Sequence, residues 1–165
     1  MHRKSLVRAT CPIARSLERV GEWWSMLILR DVLHGVHRFH DLQGNLGIAP
    51  NMLTRRLASL VDEGLLERRA YSERPKRYEY RPTARARDFE PVLVTLLQWG
   101  NRHFAPEGES VVLVDAATGK TAEPLLVDAN TGLPITPGRH VFAPGPAASD
   151  RTRRRYAKSA GDASA

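Results

Sequence analysis

Apolar side chains recur at the three- and four-residue spacing of a helix up to Gly64, where the pattern changes. Pro12 suits the first turn of a helix, and Gly21 and Gly35 follow the predicted ends of the first two helices. The spacing predicts four helices, over residues 12–20, 22–34, 38–44 and 50–63. The fourth has the clearest apolar stripe, which consists of Leu53, Leu57, Leu60 and Val61.

After Gly64 the side chains alternate in polarity, as they do in a strand with one buried face. Tyr78 and Tyr80 alternate with charged neighbours, and residues 65–71 and 77–81 are predicted to form two strands. The polar residues between them are predicted to form a turn. Helices followed by a small hairpin give a mostly α fold of the α+β class.

Thr83 is suited to cap a long last helix, which is predicted over residues 84–104. Pro91 lies inside this stretch, so we expect a kink or a missing hydrogen bond there. The apolar stripe of this helix is wider than one small core requires, so part of it is expected to face a second subunit. The candidate dimer-interface residues are Leu93, Leu96, Leu97, Trp99 and Phe104.

The chain carries 25 Lys and Arg against 18 Asp and Glu, and a net charge of +7 favours a polyanionic partner. Residues 1–104 carry a net charge of +7, residues 105–150 carry −4, and residues 151–165 carry +4. We therefore predict a basic domain at 1–104, a small β-rich appendage at 105–147 and a basic disordered tail at 148–165. The tail would either add nonspecific DNA affinity or stay solvated.

The composition also excludes several classes of protein and site. No apolar run approaches the roughly 20 residues of a membrane helix, and none follows the basic N-terminus, so we expect a cytoplasmic protein without a signal peptide. Cys11 is the single cysteine, which excludes an intramolecular disulfide framework and a Cys-rich zinc site. His34, His37 and His40 straddle Gly35, so a solvated turn is expected rather than a metal site. Neither a phosphate loop nor a nucleophile elbow nor HExxH is present, so no enzyme, cofactor or metal is expected.

Helices followed by a two-stranded hairpin are typical of winged helix-turn-helix domains, in which one helix enters the major groove and the hairpin follows the DNA backbone. The helix at 50–63 has polar side chains that can bond base edges, and the hairpin tip has cations that can neutralise phosphates. The candidate contacts to double-stranded DNA are Arg38, Asn51, Thr54, Arg55, Arg56, Ser59, Arg74, Lys76 and Arg77. The alternative is an amphipathic helix with a solvated basic face.

Several short motifs occur together between residues 11 and 104. They are Cys11-Pro12-Ile13-Ala14, Leu27-Ile28-Leu29-Arg30, Arg38-Phe39, Gly47-Ile48-Ala49-Pro50, Leu53, Arg56-Leu57, Leu60, Glu63-Gly64-Leu65 and Tyr78-Glu79-Tyr80. Jointly they resemble the HxlR-type branch of the MarR-like winged helix regulators. The resemblance implies a homodimeric bacterial transcription regulator, expected to be a repressor, that binds a pseudo-palindromic operator. It implies that the last helix and the N-terminal segment build the dimer, that the helix at 50–63 contacts bases, and that the hairpin at 66–81 is the wing.

The chain departs from the family's pattern at two places. Ala49 stands where many members have Ser, which removes an N-cap interaction of about 1 kcal/mol. The segment Thr83-Ala84-Arg85-Ala86 lacks the glycine that commonly follows the family's threonine, so the start of the last helix is expected to differ.

Two further features are candidates for effector recognition. Several family members sense electrophiles or oxidants through a cysteine at the position of Cys11, so the resemblance makes this residue a candidate redox sensor. A helix N-terminus would stabilise its thiolate. The alternative is a buried cysteine that fills space beside the second helix. Trp23 and Trp24 are candidates to line an effector pocket, with core packing as the alternative.

The predicted appendage contains an internal repeat. Residues 113–119 recur as residues 126–132, and each copy follows Leu-Val-Asp-Ala-x-Thr-Gly. We predict two or three small strands in a hairpin-like arrangement over about residues 110–142, with turns at the Asp-x-x-Thr-Gly segments. The pattern is similar to the knuckles of a zinc ribbon, but the cysteines that would bind zinc are missing. A protein-interaction module that acts through this appendage, or a small-ligand-binding protein without operator affinity, is the alternative to a DNA-binding regulator.

Overall fold

The computed structural model describes residues 6, 7 and 9–162, with side chains up to residue 157. The elements, in chain order, are α1 (Pro12–Val20), α2 (Trp23–Leu33), α3 (Phe39–Leu46), α4 (Pro50–Asp62), β1 (Leu66–Glu73), β2 (Lys76–Pro82), α5 (Ala84–Arg87), α6 (Glu90–Phe104) and α7 (Asp150–Asp162). The α+β class and the order of helices and hairpin are as the sequence predicts. In the described part of the chain, no helix has both the length and the apolar character that crossing a membrane requires.

The hydrophobic core is arranged around α2, which contacts the other helices of the N-terminal domain and β2. The buried side chains of α2 include Ile28, Leu29 and Val32, none of which is accessible to solvent. The predicted apolar stripe of α4 packs against them through three fully buried leucines, while its fourth member, Val61, is only partly buried. The core residues from α4 are Leu53, Leu57 and Leu60.

Helices α3 and α4 form a helix-turn-helix. Helix α3 ends at Gly47, whose backbone has a φ of 59° in the left-handed region that favours glycine. Helix α4 begins at Pro50, after Ala49. The backbone of Ala49 is extended, as at an N-cap, but its side chain makes no capping hydrogen bond. The sequence prediction that this helix lacks a cap is thus confirmed.

The end of α4 is joined to the wing by a compact set of hydrogen bonds. Gly64 has a φ of 67°, and the N–H of Leu65 donates to the carbonyl of Leu60, which closes the helix. The hydroxyl of Thr83 donates to the carbonyl of Gly64 at 2.8 Å and accepts the N–H of Ala86 at 3.4 Å. Thr83 is therefore an N-cap, as predicted, and it also fixes the wing's return strand to the end of α4.

The wing is a two-stranded antiparallel sheet in which Arg68 pairs with Tyr80 and Ala70 with Tyr78. The register shifts between Ala70 and Ser72, and the strands extend to Glu73, closer to the tip than predicted. Polar residues fill the tip.

The predicted single last helix is wrong, because the chain forms two helices there. Helix α5 ends at Arg87, and α6 begins at Glu90 after a turn at Asp88 and Phe89. Pro91 lies in the first turn of α6, where a backbone N–H has no partner within the helix. It therefore begins a helix instead of kinking one.

The appendage contains turns rather than the predicted strands. Within the described residues, its only strand-like pairings are the single bridges between Val114 and Thr121 and between Val127 and Pro134. Each bridge joins the second residue of one copy of the repeat to a residue just after that copy, so it closes the turn without continuing into a ladder.

The basic tail also differs from the prediction of disorder, because residues 150–162 form α7. Arg, Lys and Ala favour a helix intrinsically. The Ser149 hydroxyl oxygen accepts the N–H of Thr152 at 3.3 Å at its start, and Asp150 lies in the first turn. These start signals are present in the sequence, and they favour a helix even in a segment that has little apolar area to bury.

The missing cap of α4 gives a stability prediction. The variant Ala49→Ser is expected to raise the free energy of unfolding by about 1 kcal/mol, because the extended backbone of residue 49 suits a capping hydroxyl. Chemical denaturation would measure the change. Ala58→Ser, at an exposed position within the same helix, should give no gain, and an equal gain in both variants would contradict the capping argument.

Candidate nucleic-acid interface

The burial of one side of α4 turns its opposite side to solvent. Asn51, Thr54, Arg55 and Ser59 are all exposed there, and we call them the polar face of α4. The Thr54 hydroxyl donates to the carbonyl of Pro50 at 2.9 Å, which leaves its oxygen able to accept. The amide oxygen of Asn51 accepts the N–H of Met52 at 2.8 Å, which leaves its NH₂ group to donate. The polar face thus offers donors and an acceptor of the kinds that contact base edges.

Arg56 does not lie on this face, although the sequence analysis groups it with the DNA contacts. Its Nη2 is 3.0 Å from Oε2 of Glu22, the residue that precedes α2, and its side chain is only 20% exposed. Its Nε is buried without a hydrogen-bond partner among the described residues. The geometry therefore makes Arg56 a link between α4 and the start of α2. The role of Glu22 could not be predicted from the sequence, because its partner Arg56 lies 34 positions further along the chain.

The wing tip carries exposed cations at Arg74, Lys76 and Arg77. In the part of the chain that the structure describes, no carboxylate lies within ion-pair distance of these side chains or of Arg55. Other arginines are paired: Arg69 with Glu67 at 2.6 Å, Arg81 with Glu79 at 2.8 Å, Arg30 with Asp31 at 2.7 Å and Arg19 with Glu63 at 2.9 Å. The three wing-tip cations and Arg55 thus lie, without an ion-pair partner among the described residues, at the two places that a winged helix presents to DNA.

Arg38 lies at the junction between α3 and the wing. It precedes α3, its guanidinium is 4.5 Å from the centre of the Tyr71 ring, and its backbone bridges to Glu79 of β2. The Arg81 guanidinium, which donates to the Glu79 carboxylate, is the main cause of the lowered pKa of that carboxyl group. These contacts hold the wing against α3. Sequence reasoning missed Tyr71, because a cation–π contact depends on the hairpin's three-dimensional path.

A second cation–π contact within the wing was also not predicted. The guanidinium of Arg68 is 3.5 Å from the centre of the Tyr78 ring across the hairpin. The alternation in the sequence indicated that Tyr78 is half-buried. Its contact with Arg68 depends on how the two strands pair, which the sequence did not predict.

The candidate dimer-interface residues lie on α6, in which no described residue is buried. Trp99 is 53% exposed and Phe104 67% exposed, and their rings are in edge-to-face contact at 4.8 Å. Leu96 is also exposed, while Leu93 and Leu97 are half-buried. The exposed apolar surface continues onto α1, where Ile13 and Leu17 are exposed.

Cys11 is exposed and occupies the N-cap position of α1. It lines a cleft together with Arg15 and with Arg155 and Tyr156 of α7. The alternative of a buried, space-filling cysteine is therefore wrong, because α1 begins at the surface.

The two adjacent tryptophans differ in their surroundings. Trp23 is 62% exposed, and its ring stacks on Trp24 with ring centres 3.9 Å apart. Trp24 packs against the core, so core packing describes this residue but not Trp23. Among the described residues, no group of His, Cys, Asp or Glu side chains is arranged to hold a metal ion.

A family model described as an HxlR-like helix-turn-helix matches residues 19–108, more than half of the chain. The chain belongs to the HxlR family. It is thus a transcriptional regulator with a helix-turn-helix DNA-binding fold, and the relatives named below are regulators rather than enzymes.

Several relatives match beyond the helix-turn-helix as well. An uncharacterized HTH-type transcriptional regulator of Mycobacterium tuberculosis, Rv3095, is 42% identical over 135 residues, which cover 81% of this chain and 85% of that protein. The structure of PA1374 of Pseudomonas aeruginosa, a candidate transcription factor, is 52% identical, with a TM-score of 0.62, and covers 88% of this chain and 99% of that chain. The structure of PA1607, another candidate transcription factor, is 38% identical, with a TM-score of 0.77, and covers 85% of this chain and 99% of that chain.

A shorter structure matches a smaller share of this chain. The redox regulator HypR in its reduced form is 27% identical, with a TM-score of 0.53, and covers 59% of this chain but 99% of that chain. HypR is therefore about three-fifths as long as this chain and is matched over almost its whole length.

The ion pair that removes Arg56 from the polar face gives a prediction. In a double-mutant cycle of Glu22→Ala and Arg56→Ala, we expect a coupling of about 0.2–1 kcal/mol in the free energy of unfolding, because the pair is partly exposed. Chemical denaturation of the four proteins would measure it. Arg55→Ala is the matched control and should show no coupling to Glu22→Ala. Equal coupling for both arginines would contradict this placement of Arg56.

Proposed function

We propose that this protein is a homodimeric repressor that binds a pseudo-palindromic operator through the polar face of α4 and the wing tip. The observation that carries the proposal is the set of exposed cations without carboxylate partners at these two places. Arg55 lies beside Asn51 and Thr54 on α4, so guanidinium, amide and hydroxyl groups would face the bases together. The wing tip would neutralise backbone phosphates and fix the orientation of the domain on the duplex.

The dimer is inferred from the exposed apolar surface of α6 and α1. Leu96, Trp99 and Phe104 on α6 and Ile13 and Leu17 on α1 expose apolar area that a monomer rarely leaves open. In a dimer that binds both half-sites, the two copies of α4 would have to lie about 34 Å apart, one turn of the double helix. This spacing is what a pseudo-palindromic operator requires.

The roles of α4 and the wing predict two different effects on DNA binding. Arg55→Ala should relax discrimination at one base pair by about 1–3 kcal/mol, because Arg contacts guanine specifically. Arg77→Ala should weaken binding to all sequences alike and reduce the salt dependence by about one counterion per subunit. Titration of operator and random duplexes at several salt concentrations would separate the effects.

Arg139→Ala is the matched control, since it removes an exposed cation from the appendage. It should bind the operator as the wild type does. If Arg55→Ala retained the wild-type ratio of operator to random binding, α4 would not be the base-contacting helix. If the wild type preferred no sequence at all, the proposed operator binding would be wrong.

We further propose that Cys11 releases the operator when it is oxidised or alkylated. The thiol is exposed at the start of α1, next to the apolar surface assigned to the dimer, and the guanidinium groups of Arg15 and Arg155 line the same cleft. The name of HypR describes that protein as a redox regulator, which supports the same role here. Because each chain has one cysteine, a lasting disulfide would join two subunits, and the other products are an adduct with a small thiol or an alkylated thiol.

The cysteine proposal is tested by treating the protein–operator complex with a quinone or with hypochlorite. The wild type should lose the operator, and Cys11→Ser should keep it, because only the thiolate reacts. Intact mass under non-reducing conditions would distinguish a cross-linked dimer from an adduct. Equal release of the operator from both proteins would refute a sensing role for Cys11 and leave the DNA-binding proposal standing.

A further inference from the structure

The appendage exposes its apolar side chains to solvent. Every Val, Leu, Ile and Phe from Val111 to Phe142 is exposed, by 38–78%. No described residue between 105 and 149 is buried. A segment with this composition has apolar area to bury and buries little of it within its own subunit.

The appendage nevertheless has a defined conformation. The carboxylate of Asp115 accepts the N–H groups of Ala117 and Thr118, each at 2.8 Å, and that of Asp128 accepts the N–H of Asn130 and the hydroxyl of Thr131. These bonds lower the pKa of both carboxyl groups. Each copy of the repeat thus forms a similar closed turn, and the backbone that carries the exposed side chains has a defined path.

Two amide side chains attach the appendage to α6. Gln98 donates to the carbonyl of Pro124 at 2.9 Å, and Asn101 donates to the carbonyl of Val111 at 2.8 Å. Both donors lie on one helix, so the appendage runs along α6. This places its second repeat beside the apolar surface of that helix.

Leu126 continues that surface directly. It lines one apolar groove together with Met26, Val92, Leu96 and Trp99. Leu126 itself is 56% exposed and Leu96 44% exposed, so the groove is open. The side chain from the appendage and those from α6 therefore form a single surface.

The appendage does not complete the fold of the winged domain. HypR matches over 99% of its own chain while covering 59% of this one, so its fold forms at that shorter length. The alignment to the M. tuberculosis relative covers 81% of this chain, and a stretch of that length must include both copies of the repeat. The appendage thus accompanies this fold in some relatives, and its apolar surface is not needed for the domain core.

Charge also favours a second copy of this chain as the occupant of the surface. Residues 105–150 carry a net charge of −4, and residues 1–104 carry +7. An acidic appendage that crosses to a basic domain of the other subunit would be attracted to it. Two copies related by a two-fold axis would each supply the same apolar groove to the other.

We infer that the appendage is part of the subunit interface, with Leu126 and the adjoining face of α6 covered by a second copy of this chain. This inference rests on the proposed dimer and extends it. The interface would then comprise α1, α6 and the part of the appendage around Leu126, instead of helices alone.

The inference predicts that Leu126→Glu weakens self-association by at least about tenfold, because a carboxylate would be desolvated in an apolar groove. Sedimentation velocity of the full chain over a range of concentrations would measure the dimer dissociation constant. Leu96→Glu should have a similar effect. Val141→Glu is the matched control, since Val141 is 74% exposed and is not one of the residues that line the groove, and it should dimerise as the wild type does.

A second measurement avoids any effect of the glutamate on folding. In the Cys11→Ser background, the thiol introduced by Leu126→Cys should react with a maleimide several-fold more slowly at concentrations where the dimer forms. The thiol introduced by Val141→Cys should react at one rate throughout.

The outcomes separate the two proposals. If Leu126→Glu dimerises normally and the Leu126→Cys thiol reacts at one rate, while Leu96→Glu is monomeric, the appendage lies outside the interface and the proposed dimer stands. If the wild type is monomeric at every concentration, both proposals are wrong.

Discussion

The packing of three leucines of α4 against α2 is the contact on which the rest of the domain depends. Leu53, Leu57 and Leu60 are fully buried, so α4 has one rotational setting about its axis in which they meet Ile28 and Leu29. The side chains on the opposite side are then exposed. The nucleic-acid interface proposed for this protein is therefore a consequence of core packing, since no separate interaction is needed to orient the polar face.

Much of this domain was predictable from the sequence because its signals are local. Apolar spacing, Gly64 and Thr83 specify the helices, the end of α4 and the return of the wing, each within a few residues. The sequence alone did not predict that Arg55 is exposed whereas Arg56 pairs with Glu22. Successive helical residues are about 100° apart around the axis, so their difference depends on what lies opposite α4, and Glu22 is distant in the sequence.

Two other differences between the predicted and the observed helices have a common physical reason. The break at Asp88 and Phe89 and the helix at 150–162 both depend on how competing local signals are weighed. Pro91 is compatible with a kink or with a new helix, and the turn before it decides between them. In the tail, the cap at Ser149 favours a helix while the density of Arg indicates solvation, and a solvated helix satisfies both.

Helix α2 also connects the surface assigned to the dimer with the surface assigned to DNA. It contacts α1 and α6, which carry the open apolar area, and it contacts α4 on another side. Two ion pairs also join these elements. Arg19 at the end of α1 pairs with Glu63 at the end of α4, and Glu22 before α2 pairs with Arg56 of α4. A packed interior transmits displacement because it has few voids to absorb it. A movement of α1 would therefore act on α4 through both the core and these pairs, which is the physical route by which the proposed reaction of Cys11 would alter the spacing of two copies of α4 in the proposed dimer.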